Sequence, residues 1–432
     1  MDLETATQTI GAEAGGFAAD LAAFDAFGRT TRRSARDGVE VFENEFWTAK
    51  QRQAHSLHEV SYRACFKPQL PRFFIERFTL PGGVVYDPFA GRGTTLIEAA
   101  LLGRRAIGND VNPLSAMLAA PRLDPPSLEA IAERLERLSR DLPAAEIDPA
   151  LLTFYHPNTL RDIARLRAYF LRGTGDAIDA WLRMVCLNRL TGHSSGFFSV
   201  YTLPPNQAVS VARQRKINQQ RGQVPPERDV FAIILKKSRA LLKDALPAVF
   251  QRGAGLILTG PAERTPEIGD GSVDLIVTSP PFLDVVDYPA DNWLRCWFAG
   301  IAAESVPISL HRGLADWERF VARCFAEFAR VLRPGGIVAF EVGEVRGGKV
   351  MLEQAVLRAA GGLDLAPLAM MVNSQSFTKT AQCWGVDNNS KGTNSNRIVV
   401  FERRQAPADV CASSRCEARP RLQRPTNRPG AA

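Results

Sequence analysis

One segment constrains the fold more than any other part of the chain. In "LPGGVVYDPFAGRGTTLIEAALLGRRAIGNDVNP", "VVYD" predicts a short buried strand, "PFAGRG" a glycine-containing turn, "TTLIEAALLG" a helix that ends at Gly103, and "RAIGND" a second strand. Two strands joined by a helix over so short a distance form a βαβ unit, which requires the strands to run parallel. The sequence therefore predicts an α/β protein with a parallel sheet.

Further strand patterns extend this prediction along the chain. "GLILTG", "VDLIVTSPPF", "GGIVAFEV" and "RIVVFER" are apolar runs separated by helical stretches such as "ADWERFVARCFAEFARVLRPGG". The simplest organisation is one sheet domain that is begun by residues 46–120, interrupted by residues 121–254 and completed by residues 255–404. Residues 1–45 are expected to form a loose leader or a short helix, and residues 405–432 a disordered basic tail.

The insertion at residues 121–254 has two predicted parts. Residues 186–230 mix glycine, serine, proline, aromatic and basic residues without a clear period, which predicts a long irregular surface segment. The part before it is predicted to be helical, because apolar residues recur there at helical spacing at Leu128, Ile131, Leu135, Leu138 and Leu142.

Composition and the N-terminus limit where the protein works. The 432-residue chain is 45% hydrophobic and 23% charged, which is typical of a globular protein. No apolar stretch approaches the roughly 20 residues that a membrane helix needs, and the start "MDLETATQTI" lacks the features of a signal peptide. The seven cysteines contain no C-x-x-C pair, which argues against a structural zinc site. We therefore expect a cytoplasmic protein with reduced cysteines, no metal and no membrane partner.

The net charge of +7 is concentrated in two places. Between Arg213 and Lys243 there are nine lysines or arginines against two acidic residues, and from Arg403 onwards there are seven arginines against two acidic residues. Concentrated positive charge suits a polyanionic partner such as nucleic acid, although a solvated helix face gives the same pattern.

The turn after the first strand carries the first candidate site residues. In a parallel sheet, ligands bind near the carboxyl ends of the strands, where the strand order reverses. Asp87 and Asp110 end the two strands, and Gly91 and Gly93 let backbone N–H groups approach a ligand. The turn lacks G-K-[ST], which disfavours a phosphate-binding nucleotide loop. A nucleoside without a pyrophosphate, held by two carboxylates, fits S-adenosylmethionine better than a dinucleotide.

Two motifs taken together resemble a known family. "DPFAGRGTT" followed by "TSPPF" is similar to the amino-group DNA methyltransferases, which methylate cytosine N4 or adenine N6. The resemblance extends over roughly residues 55–120 and 255–345 and includes "FKPQLPRFFIERFTLPGG", "IGNDVNP" and "FARVLRPGGIVAFEV". It implies an α/β fold with a Rossmann-like class I methyltransferase sheet, S-adenosylmethionine as the cofactor, and a largely helical and loop-rich target-recognition region in the insertion.

The resemblance also implies a role for each matching residue of the cofactor turn. Asp110 would hold the ribose, and Lys67 and Pro68 fall at a further cofactor-binding motif. The methionine side of the cofactor would be lined by Asp87, Phe89, Gly91, Gly93 and Thr94. Where the family has an acidic residue for the adenine, this chain has "PAE" at residues 261–263, so the residue that serves the adenine stays open.

The chemistry of amine methylation gives a reason for the composition of "TSPPF". An exocyclic base amine is a poor nucleophile because its lone pair is delocalised into the ring, and two acceptors that bind its hydrogens favour a pyramidal nitrogen. Ser279 Oγ and the Pro280 carbonyl are the candidate acceptors, with Pro281 stiffening the turn. Phe282 would stack on a target base that has been rotated out of the duplex. No covalent nucleophile is required.

The methylated position and its alternatives follow from the same motif. Within the family, serine at the first position is associated with cytosine N4 and aspartate with adenine N6, so cytosine N4 is favoured. Carbon-5 methylation of cytosine would need a Pro-Cys thiolate, and none of the cysteines follows a proline. Three alternatives stay open: an N6-adenine DNA methyltransferase, an RNA base-amine methyltransferase and, more distantly, a non-catalytic nucleic-acid-binding protein.

Double-stranded DNA is the expected partner. A cognate restriction endonuclease is a further candidate partner, as expected of a restriction–modification enzyme. The residues of the insertion that would neutralise DNA phosphates are Arg213, Arg215, Lys216, Arg221, Lys236 and Lys237.

Overall fold

The computed structural model describes residues 14–47, 54–62, 65–173, 175–202, 208–283, 288–309, 311, 313–343, 345, 350–374 and 395–405. The strands in these residues are β1 (Arg32–Arg36), β2 (Val39–Asn44), β3 (Val84–Asp87), β4 (Arg105–Asp110), β5 (Leu256–Thr259), β6 (Val273–Thr278), β7 (Leu332–Val342), β8 (Leu365–Ser374) and β9 (Ser395–Arg403). The α-helices are α1 (Ala14–Ala22), α2 (Gln69–Phe78), α3 (Thr94–Leu101), α4 (Leu114–Leu123), α5 (Leu128–Asp141), α6 (Pro157–Leu171), α7 (Ala177–Arg189), α8 (Val211–Arg221), α9 (Val230–Leu241), α10 (Tyr288–Ala299), α11 (Leu314–Val331) and α12 (Leu352–Ala359). None of the described helices is both long and apolar enough to span a membrane.

The described strands form one sheet in the order β1-β2-β8-β9-β7-β6-β3-β4-β5. Strands β5, β4, β3, β6 and β7 run parallel to one another, whereas β9 is antiparallel to both β7 and β8. From β3 the chain moves outwards through β4 to β5, and then returns to the other side of β3 as β6. The strand order therefore reverses between β3 and β6, as in Rossmann-like sheets. The predicted α/β fold class is confirmed.

Side chains of the central strands pack alternately on the two faces of the sheet. On β6, Leu275 and Val277 belong to one buried cluster and Ile276 belongs to the other. Helices α11 and α12 cover the face with Ile276, while α2 to α7, α9 and α10 pack on the opposite face. Since α5, α6, α7 and α9 come from the insertion, the inserted helices share a hydrophobic core with the sheet.

Helix α11 shows how the sequence builds these layers. Trp317, Val321 and Cys324 recur at helical spacing and are completely buried against the sheet. Asp316 in the first turn and Arg330 in the last turn have the charges that stabilise the helix dipole. The predicted helix is therefore present, and it places the indole of Trp317 below the "TSPPF" turn.

Part of the expected leader belongs to the sheet. Residues 32–44 form β1 and β2, which pair antiparallel, and β2 in turn pairs parallel with β8. Strand β1 has the sequence RRSAR and lies at the edge of the sheet, where ion pairs to β2 at 2.6 Å replace apolar packing. An edge strand of this kind has no apolar alternation, so the sequence pattern did not reveal it. Residues 1–13 and nearly all of the predicted basic tail lie outside the described residues.

A second difference lies in the segment predicted to be irregular. Residues 211–221 form helix α8, which begins with Ser210 accepting a hydrogen bond from Arg213 N and ends at Gly222 with a positive φ of 56°. The sequence of α8, VARQRKINQQR, is polar on all sides and gives no helical period of apolar residues. Caps and helix-forming residues, rather than an apolar face, define this helix.

Candidate functional site

A cleft opens at the carboxyl ends of β3, β4 and β6, where the strand order reverses. Its volume is about 890 Å³, including the open mouth. Seven of the predicted site residues line it: Asp87, Phe89, Gly91, Thr94, Asp110, Ser279 and Pro281. The fold therefore brings residues of the two sequence motifs into a single cleft, at the position where open α/β sheets bind ligands.

Asp87 is buried at the end of β3 with its carboxylate held by both motifs. Its Oδ1 accepts hydrogen bonds from the Thr278 hydroxyl at 2.6 Å and from the Phe89 backbone N–H at 3.1 Å. Burial raises the pKa of Asp87 to about 6, and these hydrogen bonds oppose that rise. A buried carboxylate of this kind becomes more stable when a cation binds beside it in the cleft.

Asp110 at the end of β4 fixes the shape of the glycine turn. Its two oxygens accept hydrogen bonds from the backbone N–H groups of Gly91 and Asn112, both at 2.8 Å. Burial raises the pKa of Asp110 to about 6, against the effect of these two donors. Gly91 has a positive φ of 51°, a conformation that other residues rarely adopt. The Asp110 carboxylate thus holds the backbone of the glycine turn in place and also borders the cleft.

Gly93 contributes to packing, since it is not among the residues that line the cleft. A Cβ at this position would lie 2.6 Å from Ala119 Cβ on α4, and its φ is +77°. The close approach lets α3 begin directly after the turn and pack on α4. Gly93 therefore supports the glycine turn from behind.

The "TSPPF" turn is held from below and from the side. The Trp317 indole N–H donates a hydrogen bond of 2.9 Å to the Pro281 carbonyl. Pro280 is buried, and Phe282 is half-buried with its ring against Gly343. Neither Pro280 nor Phe282 is among the residues that line the cleft. Of the four predicted catalytic residues, Ser279 and Pro281 therefore border the cleft, and the other two shape the turn.

Glu341 lies behind Ser279 and was not predicted from the sequence. The Glu341 carboxyl group, buried near the end of β7, forms a hydrogen bond with the Ser279 hydroxyl. It also accepts a hydrogen bond of 2.8 Å from Asn396 Nδ2 on β9. Burial raises the pKa of Glu341, and the two hydrogen bonds oppose that rise. The pairing of β7 with β6 brings Glu341 to Ser279, and the pairing of β7 with β9 brings it to Asn396. Glu341 lies in "FARVLRPGGIVAFEV", but nothing in that pattern assigns it this role.

The wall of the cleft beside the glycine turn also differs from the prediction. Lys67 is exposed and Pro68 is buried, and neither is among the residues lining the cleft. The residues just before them do line it, namely Tyr62, Cys65 and Phe66, together with residues 307–309 from the loop after α10. The start of "FKPQLP" would have indicated Phe66, whereas the loop has no recognisable sequence signal.

A further part of the cleft wall is formed by the segment that follows β5. Pro261, Ala262 and Glu263 all line the cleft, as expected for the segment that follows "LILTG". The Glu263 carboxylate forms an ion pair of 3.1 Å with Arg323 on α11. Because part of its charge is already neutralised, Glu263 is less suited to bind an adenine amine than a free carboxylate would be.

The strand order and the cleft are those of a Rossmann-like protein, and comparisons with known proteins show which families the chain is similar to. Residues 28–119 match a family model described as DNA methylase. Over 74 residues the chain is 34% identical to the Type II methyltransferase M.MjaII of Methanocaldococcus jannaschii, covering 17% of this chain and 14% of that protein. Over 296 residues it is 21% identical to the Type II methyltransferase M.BsoBI of Geobacillus stearothermophilus, covering 62% and 57% of the two chains.

A solved structure also aligns with much of the chain. TrmN from Thermus thermophilus aligns at 13% identity and a TM-score of 0.33, covering 79% of this chain and 50% of that chain. The matches to the family model and to the Type II methyltransferases confirm the predicted resemblance to the amino-group methyltransferases, without distinguishing the N4 type from the N6 type. The chain spans 14% and 57% of the lengths of the two curated relatives.

Proposed function

We propose that the protein is an S-adenosylmethionine-dependent DNA methyltransferase that acts on the exocyclic amine of a flipped base, with cytosine N4 as the preferred target. The observation that carries this proposal is the single cleft shared by Asp87, Gly91 and Ser279. A protein that only bound nucleic acid would have no need to place a buried carboxylate, a glycine turn and an acceptor hydroxyl around one cavity.

The residues of the cleft suit S-adenosylmethionine, which when bound supplies an electrophilic methyl group on a sulfonium. The buried Asp87 carboxylate would bind the ammonium group of the methionine part, because a nearby cation stabilises its ionised form. Asp110 would accept hydrogen bonds from the ribose hydroxyls. Phe89 and Ala262 provide apolar surface between these groups, as a nucleoside requires.

The target amine would be bound by Ser279 and by the "TSPPF" backbone. If the Ser279 hydroxyl donates its hydrogen to Glu341, its lone pairs remain available to accept a hydrogen from the amine. The Pro281 carbonyl is already engaged by Trp317, so the Pro280 carbonyl would be the second acceptor. Because Pro280 does not itself line the cleft, its carbonyl would have to reach the amine between Ser279 and Pro281. Alignment of the amine with the methyl group then supplies much of the rate, since correct positioning alone lowers the barrier greatly.

The role of Phe282 is a separate part of the proposal. In the described conformation its ring packs half-buried against Gly343 and does not line the cleft, so only its exposed edge is open to a base. A flipped base would stack on this edge or on the ring after a change of rotamer. The Ser279 hydroxyl favours cytosine N4, by the association between serine and N4 methylation in the family it resembles.

The proposal is tested by expressing the protein in a bacterial host without DNA methylases and mapping modified bases by single-molecule sequencing and nucleoside mass spectrometry. We expect N4-methylcytosine in one sequence motif, lost in Ser279→Ala and Asp87→Asn. Ser272→Ala is the matched control, because Ser272 is exposed just before β6 and bonds only within its own turn. N6-methyladenine would contradict the preferred base. Unmodified DNA together with methylation of RNA by the purified protein would favour the RNA alternative.

A further inference from the structure

Helix α8 carries a concentration of positive charge that the structure leaves exposed. Arg213, Arg215 and Lys216 are all exposed, and α8 contains no acidic residue. Among the described residues, no carboxylate lies within ion-pairing distance of these three side chains. Like charges at Arg213 and Lys216, three positions apart on a helix, destabilise it by a few tenths of a kcal/mol. The repulsion between these positive charges is relieved when a polyanion binds to them.

Another helix of the insertion, α5, shows the contrasting arrangement, in which acidic residues neutralise the arginines. On α5, Arg140 pairs with Glu136 at 2.7 Å, and Arg134 pairs with Asp176 at 2.6 Å and also with Asp179. Such pairing is typical of a helix whose polar face only meets solvent. The lack of acidic residues on α8 is therefore a property of this helix and not of the whole insertion.

The opposite side of α8 is fixed to the protein by amide side chains. Gln214 is completely buried and donates a hydrogen bond of 3.0 Å to the Tyr201 carbonyl. Asn218, one turn later, donates a hydrogen bond of 2.8 Å to the Thr153 carbonyl. These directional hydrogen bonds add to the few apolar contacts that Val211 and Ile217 make with the core. Together they fix the rotation of the helix and leave Arg215 and Lys216 exposed.

The start of α8 is joined to the helix that follows the "TSPPF" turn. Trp293 Nε1 on α10 donates a hydrogen bond of 3.3 Å to the Val209 carbonyl, and Ala208 N donates one of 3.2 Å to the Asp291 carbonyl. Since α10 begins at Tyr288, six residues after Phe282, the basic helix is anchored to the segment that leaves the catalytic turn. Arg213 of α8 also borders a surface pocket together with Glu304, which lies three residues before Pro307 in the wall of the cleft. The charge on α8 is thereby near the side of the protein that carries this wall.

We propose that the outer face of α8 binds the phosphate backbone of duplex DNA beside the flipped base, with Arg213, Arg215 and Lys216 as the phosphate ligands. This inference rests on the proposed function, because it assigns the surface that carries the substrate of that site. The glutamines Gln219 and Gln220 are exposed on the same helix and would face the duplex together with the cations.

The test compares two double variants that each remove two positive charges from an exposed helix. Arg215→Gln with Lys216→Gln changes α8, and Arg137→Gln with Arg140→Gln changes α5 as the matched control. Glutamine keeps the helix propensity of arginine and lysine nearly unchanged. Binding of a fluorescein-labelled duplex is measured by anisotropy over a range of salt concentrations, and thermal unfolding verifies that both variants fold.

The α8 variant should bind the duplex roughly tenfold more weakly, and its slope of log Kd against log salt should fall by about 0.9 for each phosphate that the variant no longer neutralises. The α5 variant should bind like the parent protein. Equal losses of affinity in both variants, or an unchanged salt slope for the α8 variant, would overturn the proposal. Loss of binding to an RNA hairpin but not to duplex DNA would also overturn it.

The outcome is separable from that of the proposed function. Anisotropy reports binding without methyl transfer, and calorimetry with S-adenosylhomocysteine reports the cofactor cleft alone. If the parent protein binds the duplex through α8 but methylates no DNA, the methyltransferase proposal fails and the docking surface stands. If the parent methylates DNA and the α8 variant retains full affinity, the docking surface fails alone.

Discussion

Thr278 Oγ1 donates a hydrogen bond of 2.6 Å to Asp87 Oδ1, although the two residues are separated by 191 positions in the chain. The bond joins the carboxyl ends of β3 and β6, the neighbouring parallel strands between which the strand order reverses. Both residues are buried, so the bond is shielded from water and strengthened by the low local dielectric. The glycine turn after β3 and the "TSPPF" turn are thus joined directly by a hydrogen bond.

Replacing Thr278 by valine should weaken cofactor binding and lower stability together. The substitution keeps the shape of the side chain and leaves Asp87 Oδ1 without its closest donor, which costs about 1–3 kcal/mol of unfolding free energy. The pKa of Asp87 should rise further, so affinity for S-adenosylmethionine should fall several-fold at neutral pH. Calorimetric titration and thermal unfolding measure the two effects. Thr259→Val is the control, because Thr259 also ends a strand but is exposed.

Cofactor affinity should depend on pH through Asp87. Its pKa in the empty protein is raised to about 6, so the carboxyl group is largely protonated below that pH and cannot attract a cation. A ligand that requires the ionised form should bind about tenfold more weakly for each pH unit below 6, and its affinity should level off above about 7.

The same raised pKa has the opposite effect on the stability of the empty protein. Between its unfolded value of 3.8 and its folded value of about 6, Asp87 binds more protons when folded, so its contribution to stability falls as the pH rises. From pH 5 to 8, the cofactor affinity measured by calorimetry should therefore rise with pH, whereas the contribution of Asp87 to the free energy of unfolding should fall. In Asp87→Asn, the cofactor affinity and the free energy of unfolding should both lose the pH dependence that comes from this carboxyl group. An unaltered pH profile of cofactor affinity in Asp87→Asn would contradict the assignment.

Local patterns predicted β3 to β7 and β9, but not β1, β2 and β8, which follow one another at one end of the sheet order. Strands β3, β4 and β6 are apolar runs with clear turns after them, so the sequence indicated both the strands and the cleft at their carboxyl ends. Strand β8, LAPLAMMVNS, was missed because proline, alanine and methionine are weak strand formers, and its pairing with β9 has an irregularity between Pro367 and Ala369. Tertiary pairing, rather than propensity, makes this segment a strand.

The residues of the candidate site likewise divide into those that the sequence indicated and those that it did not. Asp87, Gly91 and Ser279 belong to contiguous motifs, and their chemistry can be read from neighbouring residues. Glu341 and Trp317 act on the "TSPPF" turn from β7 and α11, and neither lies in a motif that marks it as functional. Side chains that support a site from other elements become visible only once the fold has brought them together.

Replacing Glu341 by glutamine should slow methyl transfer without affecting cofactor binding. Asn396 donates to one carboxyl oxygen, so the glutamine would place its carbonyl there and direct its amide group at Ser279. The Ser279 oxygen would then accept from the glutamine and lose one of the lone pairs intended for the amine. We expect the single-turnover rate to fall by roughly ten- to a hundredfold, with an unchanged Kd for S-adenosylhomocysteine.

A pH profile separates this role of Glu341 from a structural one. Burial raises the pKa of Glu341, so the parent rate should fall at low pH as the carboxyl group becomes protonated. The glutamine variant should lose this part of the profile. A variant with the parent rate, or with a lower melting temperature and an unaltered pH profile, would show that Glu341 only stabilises the fold.

Replacing Trp317 by phenylalanine should loosen the "TSPPF" turn while preserving the core. The ring still fills the buried position, but the hydrogen bond of 2.9 Å to the Pro281 carbonyl is lost. Removing this bond costs about 1 kcal/mol, and a less fixed turn should lower kcat several-fold with little change in cofactor affinity. Methylation assays and calorimetry measure both quantities. Trp181→Phe is the control, since Trp181 is equally buried and donates to Ser238 in the insertion. An equal loss of kcat in both variants would exclude a specific role for Trp317.

Substituting Gly343 by alanine should displace the ring of Phe282. A Cβ at Gly343 would lie 2.7 Å from Phe282 Cε2, closer than side chains tolerate, so the ring must move. If Phe282 stacks on the flipped base, kcat/KM for DNA should change by about tenfold, because a misplaced stacking surface costs roughly 1–3 kcal/mol. The Kd for S-adenosylhomocysteine should stay the same. Gly269→Ala is the control, because its Cβ would meet nothing closer than 3.8 Å. Unchanged kcat/KM in Gly343→Ala, with Phe282→Ala equally active, would contradict a stacking role for this ring.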